Sequence, residues 1–218
     1  MDFLEEHFGE WKPVSRYAGI GWLCFYFLFL IYAATSRTGF LFLDYANLMI
    51  HECGHPIFSV LGYTPMILGG TLAELIVPLL CAGYFFWKRE ITAVAFCGFW
   101  FFENFPYIGT YMADARAQEL PLVGSGDHDW AILFGQWGWL AQDQKIGGAT
   151  RAIGWIGMLS VMGWLAWRTY LSAQADESAR VEHITRRVRK LHNRVVGRHL
   201  PVVAGVGAFR DAVELGPR

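Results

Sequence analysis

The stretch FLFLDYANLMIHECGHPIFSVL, from Phe40 to Leu61, combines an apolar segment with the five residues HECGH. Its length matches the about 20 residues that a membrane-spanning helix needs. On such a helix, HExxH places two imidazoles four residues apart on one face, where both can bind Zn²⁺, with the intervening glutamate beside the metal as a general base. The stretch therefore predicts a membrane helix in which His51 and His55 bind zinc and Glu52 is catalytic.

HExxH also arises by chance in many chains, where its residues have a purely structural role. At membrane depth, however, an ionisable side chain is costly and usually has a function and a partner. A structural role also gives no reason for the four-residue spacing of the two histidines. The position of Glu52 inside an apolar segment thus favours a metal site.

The composition is typical of a membrane protein with several spanning helices. Of the 218 residues, 54% are hydrophobic and 17% are aromatic, whereas only 17% are charged. We expect membrane lipid and a membrane-protein or peptide substrate as partners, and no nucleic acid. A homo-oligomer is a further alternative. Three of the four cysteines fall inside apolar segments and the fourth falls inside HECGH, so no disulfide framework is indicated.

Five apolar segments predict about five spans, and hence an all-α, polytopic bundle of membrane helices. A polar stretch before the last segment contains GSGDHDW and the aromatic run Ala131–Leu140, which is too short to span and favours a re-entrant or interfacial element. We expect a membrane-embedded domain at residues 1–171 and a tail at residues 172–218. The segments are about Tyr17–Thr35, Phe40–Leu61, Leu72–Trp87, Ile91–Met112 and Ile153–Leu171.

Basic residues near the ends of these segments predict the orientation, because Lys and Arg are enriched in cytoplasmic loops. Arg37 lies between the first two segments, and Lys88 and Arg89 lie between the third and fourth. Arg168 precedes the basic tail. With five spans these positions share one side, which we expect to be the cytoplasm. The C-terminus would then be cytoplasmic, in a bacterial inner membrane, with the acidic N-terminus and the GSGDHDW loop on the opposite side.

The tail carries an apolar stripe on a helix rich in arginine. Its apolar residues recur at spacings of three and four, and they are Val181, Ile184, Val188, Leu191 and Val195. The first interpretation is a basic amphipathic helix on the anionic cytoplasmic leaflet. The alternative is a short dimerising coiled coil.

The two motif histidines leave a catalytic zinc one ligand short, because such a site has three protein ligands and an open position for water. DHDW is the ligand-dense stretch outside the motif. We expect His128 as the third ligand, with Asp129 as the alternative and Asp127 as a hydrogen-bond acceptor for the ligands. The other explanation is that these residues cap the following helix, because Asp and Gly favour such positions.

Two acids inside neighbouring apolar segments, Glu74 and Glu103, are candidates to accept hydrogen bonds from the histidines and orient them. Gly54, inside the motif, permits the close approach of a neighbouring element or of an extended substrate.

These residues resemble the intramembrane zinc metalloproteases of the site-2 protease class. The resemblance consists of HECGH within a spanning segment, a following glycine-bearing turn with Gly62, Gly69 and Gly70, and a later loop that contains aspartate. It implies that the histidines and an aspartate hold zinc and that the glutamate activates water to cleave a peptide bond in or near the bilayer. The chain has no NPDG or LDG sequence, so DHDW matches the family's aspartate only by analogy. It also resembles uncharacterised bacterial membrane proteins that pair HExGH with an HDW loop.

The expected function is that of a membrane-embedded zinc metallohydrolase, most simply a metalloprotease that cleaves peptide bonds within or near the bilayer. The same three motif residues would serve a zinc-dependent hydrolase of lipid amides or esters equally well. A non-catalytic, zinc-bearing assembly protein is the alternative from a different class, and a closed sphere of four ligands would favour it.

Overall fold

The computed structural model describes residues 11–36, 40–123 and 127–198, with side chains up to residue 194. The acidic first ten residues, Arg37, Gly124–Gly126 and residues 199–218 lie outside these ranges. All regular secondary structure within them is helical, which confirms the all-α prediction. The helices are α1 (Arg16–Thr35), α2 (Asp44–Ser59), α3 (Tyr63–Trp87), α4 (Ile91–Ala113), α5 (Asp129–Trp137) and α6 (Asp143–Arg198), with a 3₁₀ turn at Leu140–Gln142.

Two of the described helices, α1 and α3, are long and apolar enough to cross a membrane. The motif helix α2 has 16 residues, which is shorter than the expected segment. At 1.5 Å per residue it measures roughly 24 Å, less than the roughly 30 Å of a hydrocarbon core. The aromatic run that was expected to be re-entrant or interfacial forms most of the nine-residue helix α5, which ends at Gly138 in a left-handed conformation with φ of 71°.

Helices α2 and α3 pack against each other through glycines. A Cβ at Gly54 would lie 2.2 Å from the carbonyl oxygen of Gly69, so only glycine allows this approach. The neighbouring element expected at Gly54 is therefore α3. Gly62 caps the start of α3 with φ of 111°, in the region that favours glycine. Gly69 and Gly70 lie inside α3, where the sequence had suggested a turn.

Two clusters of buried apolar side chains hold the helices together. The first joins α1, α4 and α6, and its largest fully buried members include Tyr26, Phe99, Met158 and Leu165. The second joins α5 to α3 and α4 through Ile67, Ile108, Trp130, Leu133 and Phe134. Because α5 is anchored in this second cluster, its first residues are held at a defined place beside α3 and α4.

The chain divides into two compact units, Met1–Ser172 and Ala173–Arg218. In the second unit, the described part is the continuation of α6. The apolar stripe is exposed there at Val181, Ile184, Val188 and Leu191, whereas the side chain of Val195 lies outside the description. Arg186 forms an ion pair with Glu182 one turn away. That this stripe binds a membrane surface, or alternatively forms a coiled coil, stays a prediction.

Candidate metal centre

His51, His55 and Asp129 form a group that could hold a metal ion. One ligand atom from each of the three lies within 4.8 Å of the others. Nε2 of His51 is 2.9 Å from Oδ2 of Asp129, and Nε2 of His55 is 3.6 Å from the same oxygen. The four-residue spacing on α2 puts both imidazoles on one face, and the first residue of α5 supplies the carboxylate.

The orientation of His55 is fixed by the backbone of α3. Its Nδ1 lies 2.9 Å from the carbonyl oxygen of Met66. A carbonyl oxygen can only accept, so Nδ1 carries the proton in this contact. In the neutral imidazole, Nε2 then keeps its lone pair and faces Asp129, which is the state that binds a metal.

His51 is arranged in the same way, with a carboxylate as its partner. Its Nδ1 lies 3.4 Å from Oε2 of Glu74, and both side chains are buried. The backbone of α3 also lies directly against the ring, because a Cβ at Gly70 would come within 2.5 Å of Nε2 of His51. Glu74 thus lies at the nitrogen of His51 that faces away from Asp129, and its role in orienting the ring stays a prediction.

Asp129 is held through its own backbone. Its N–H donates to the hydroxyl oxygen of Tyr111 on α4 at 3.0 Å. Its carboxylate is buried. Because Asp129 is the first residue of α5, this carboxylate lies where the helix dipole stabilises a negative charge. Four helices therefore meet at this group: α2 with the histidines, α3 with their partners, α5 with the aspartate, and α4 with the tyrosine.

His128 was our first choice for the third ligand, and it lies outside this group. Its Nδ1 accepts a hydrogen bond from the N–H of Ala131 at 3.2 Å, as an N-cap does. Its ring stacks on Tyr111 with centroids 4.2 Å apart, and Nε2 lies 3.4 Å from Oδ2 of Asp114 without hydrogen-bond geometry. Burial lowers the pKa of His128, which favours the neutral ring. The structure brings Asp129, our alternative, to the histidines.

Glu103, the other acid expected to orient the histidines, has a different partner. Its Oε2 accepts from the side-chain amide of Asn47 at 3.1 Å, and the same amide donates to Oδ1 of Asp44 at 3.2 Å. The indole N–H of Trp100 donates to the carbonyl oxygen of that amide at 2.7 Å. Glu103 therefore fixes the N-terminal half of α2, one turn before His51.

Glu52 and Asp127 line a cavity that opens beside the group. The cavity measures about 1100 Å³, and both motif histidines, Glu74 and Asp129 also line it. Glu52 is partly buried, whereas Asp127 is exposed. A carboxylate next to the ligand pair thus faces a space large enough for a substrate. Asp127 was expected to accept a hydrogen bond from a ligand, and the described structure gives it no such contact.

A salt bridge joins the two ends of the region that carries Asp127–Asp129. The guanidinium of Arg116, after α4, donates from Nε and Nη2 to the two carboxylate oxygens of Asp143 at 2.8 and 2.7 Å. Asp143 is the first residue of α6. The Arg116 guanidinium holds the pKa of that carboxyl below its usual range. The pair closes the loop whose middle part supplies Asp129.

The contacts of Met66 and Tyr111 could not be predicted from the sequence. Met66 contributes only a backbone carbonyl, which every residue has. Tyr111 is one of nine tyrosines in an aromatic-rich chain, and the sequence does not show which hydroxyl lies next to Asp129. Both contacts depend on how α3 and α4 are rotated against α2.

The donor set fits a transition metal. Two imidazoles and one carboxylate form a ligand set that zinc takes in catalytic sites, and iron(II) takes a similar one. Comparisons of the chain with models of protein families, with curated proteins and with solved structures find no match. The function must therefore be inferred from the site itself, and the resemblance to site-2 proteases stays a prediction.

Proposed function

We propose that the protein is a membrane-embedded zinc hydrolase, and specifically a metalloprotease that cleaves peptide bonds within or near the bilayer. One observation carries the proposal: the His51, His55 and Asp129 group borders the cavity that Glu52 also lines. Ligands, a carboxylate base and room for a substrate are thus together. This combination is what metal-assisted hydrolysis requires.

The chain's own residues have distinct parts in this reaction. When bound, zinc would lower the pKa of water and polarise a substrate carbonyl. Glu52 takes the proton from that water as general base and returns it to the leaving amine. The Met66 carbonyl and Glu74 keep the two histidines in the tautomer that presents Nε2. The Tyr111 hydroxyl keeps the backbone of Asp129 in place.

The number of ligands favours a catalytic site over the non-catalytic assembly role. The group in the described residues has three members, and Glu74 lies at the opposite nitrogen of His51. Three protein ligands leave the fourth position of a tetrahedral zinc open for water, whereas structural zinc sites are closed by four.

We also propose that α2, α4 and residues 153–171 of α6 are membrane-embedded together with α1 and α3. The apolar character of these segments supports this, as do the exposed hydrophobic side chains on α2 and α6, such as Met49, Ile57, Ile156 and Leu159. The positions of Lys88 and Arg89 support a cytoplasmic C-terminus, and the membrane would be a bacterial inner membrane.

The function is tested with purified protein in lipid vesicles and a quenched fluorescent peptide that contains an apolar segment. We expect about one zinc per chain, and hydrolysis that a chelator abolishes. Glu52→Gln should keep the zinc and lower kcat by about 10²-fold or more. Glu119→Gln, an exposed acid outside the cavity, is the matched control and should keep full activity. Zinc-free protein with unchanged hydrolysis would contradict the proposal.

The orientation is tested separately by labelling single cysteines after replacement of the four native ones. Gln118→Cys should react only from the side opposite to Ser178→Cys, because the two positions flank an odd number of spans in the proposed arrangement. Labelling of both from one side would contradict the five-span arrangement and would leave the zinc chemistry untouched.

A further inference from the structure

We infer that the cavity selects a peptide segment with a basic side chain close to the scissile bond, and that Asp127 binds this side chain. The inference rests on the proposed function and specifies its substrate. It also separates the peptide substrate from a phosphate-bearing lipid, which the three motif residues alone do not distinguish.

The charge of the cavity wall is the first observation. Four carboxylates line it, from Glu52, Glu74, Asp127 and Asp129. Among the described residues that line it there is no lysine and no arginine. Three of these acids are accounted for by the catalytic site, namely the base, the metal ligand and the partner of His51. The fourth, Asp127, adds a negative charge that the chemistry does not use.

Asp127 is placed to meet a substrate. It is exposed, it lines the cavity, and it stands two residues before the metal ligand Asp129. It has no hydrogen-bond or ion-pair partner among the described residues, in contrast to Asp114, which accepts from the N–H groups of Glu119 and Leu120. None of the described residues therefore competes for its carboxylate with a cation from outside the chain.

The rest of the wall suits an apolar peptide with a cationic side chain. Aromatic rings from Phe40, Tyr45, Tyr63, Tyr107 and Tyr111 line the cavity. Such rings bind apolar side chains and attract ammonium and guanidinium groups through their faces. The volume of about 1100 Å³ exceeds the range of roughly 300–1,000 Å³ that is usual for small-molecule sites. It gives room for several residues of an extended chain.

A phospholipid headgroup fits this wall poorly. A phosphodiester carries a negative charge and is normally bound by arginine, lysine or a helix N-terminus aimed at it. Here the first residue of α5 is Asp129, so a negative charge already lies at this helix N-terminus. Away from the metal, a phosphate in the cavity would meet carboxylates and no lysine or arginine from the described wall, so repulsion by these acids opposes its binding.

The test uses the full chain in vesicles and three peptides that differ at one position beside the scissile bond, with Lys, Gln or Glu there. We expect kcat/KM to fall in that order, with the Lys peptide preferred over the Gln peptide by about fivefold, as an exposed ion pair allows. Asp127→Asn should abolish the preference, and Asp127→Lys should reverse it in favour of the Glu peptide. Glu119→Gln is the matched control and should leave the order unchanged.

The outcomes separate this inference from the proposed function. Zinc-dependent cleavage of all three peptides at equal rates, or an unchanged Lys preference in Asp127→Asn, overturns the inference and keeps the peptidase. Absence of cleavage of any peptide overturns the proposed function. Hydrolysis of a phosphatidylglycerol or phosphatidylethanolamine vesicle in place of the peptides overturns both.

Discussion

Oδ2 of Asp129 lies 2.9 Å from Nε2 of His51, although 78 residues separate them in the sequence. The contact joins the first residue of α5 to the motif helix, and it brings the nitrogen of His55 to 3.6 Å from the same oxygen. This arrangement makes Asp129 the third ligand of the proposed zinc site.

Asp129→Ala should remove most of the zinc, whereas His128→Asn should retain it. The alanine variant loses a ligand atom, and two histidines alone bind zinc weakly. Asparagine at position 128 keeps an N-cap acceptor for the N–H of Ala131, so the helix start is preserved. Zinc per chain is measured by atomic emission on purified protein, with circular dichroism to verify folding. Loss of zinc in His128→Asn alone would show that the third ligand is wrongly assigned.

Glu74→Leu should lower the zinc affinity by about 10- to 100-fold, which is usual when the partner of a metal-binding histidine is removed. The leucine leaves Nδ1 of His51 without its acceptor, which lies 3.4 Å away in the native protein. Glu74→Gln keeps an acceptor oxygen and should show a smaller loss. Affinity is measured by competition with a chromophoric chelator.

The control for Glu74 is Glu103→Gln, at the second buried acid. Because Glu103 contacts Asn47 and not the histidines, zinc affinity should stay at the native value. An equal loss of affinity in both variants would mean that buried charge in general, and not the contact with His51, governs metal binding.

The sequence predicted the parts of the site that depend on one helix. The spacing of HECGH suffices to place His51 and His55 on one face, because the helix repeat alone decides it. The sequence could not decide between His128 and Asp129, because both residues are possible ligands and they are adjacent. The choice depends on where α5 begins. The N-cap residue, His128, accepts a hydrogen bond from its own helix, and the next residue, Asp129, faces the histidines.

The choice between Glu74 and Glu103 depended on tertiary packing. Both are single acids in apolar segments, and the sequence treats them alike. The contact between Gly54 and Gly69 sets the rotation of α3 against α2, and this rotation directs Glu74 to His51. The number of spans was harder to predict than the site. Helix α2 is shorter than α1 and α3, and the acid-bearing α4 does not reach their hydropathy.

Arg116→Gln should lower stability at neutral pH and have no effect in strong acid. The pKa of Asp143 is lower in the folded protein than its ordinary value of 3.8, chiefly because Arg116 donates hydrogen bonds to it. The ion pair therefore stabilises the fold fully above that value, and its contribution is lost as the pH falls through the folded pKa. Thermal unfolding of both proteins is followed between pH 7 and about pH 2.5.

The difference in Tm between native protein and Arg116→Gln should be constant above about pH 5 and should shrink below about pH 4. Lys145→Gln, at an exposed basic residue two positions after Asp143, is the control and should show no such dependence. A difference that persists unchanged at the lowest pH would assign the effect of Arg116 to packing and not to its charge.

Gly70→Ala should abolish zinc binding while the protein stays folded, and Gly83→Ala on the same helix should bind zinc normally. An added Cβ at Gly70 would lie 2.5 Å from Nε2 of His51 and 2.6 Å from two further ring atoms. The ring cannot yield easily, because Glu74 and Asp129 hold its two nitrogens from opposite sides. At Gly83 a Cβ would meet nothing within 4 Å. Zinc content and helical circular dichroism are measured on both variants, and native zinc affinity in Gly70→Ala would contradict the position of the His51 ring against α3.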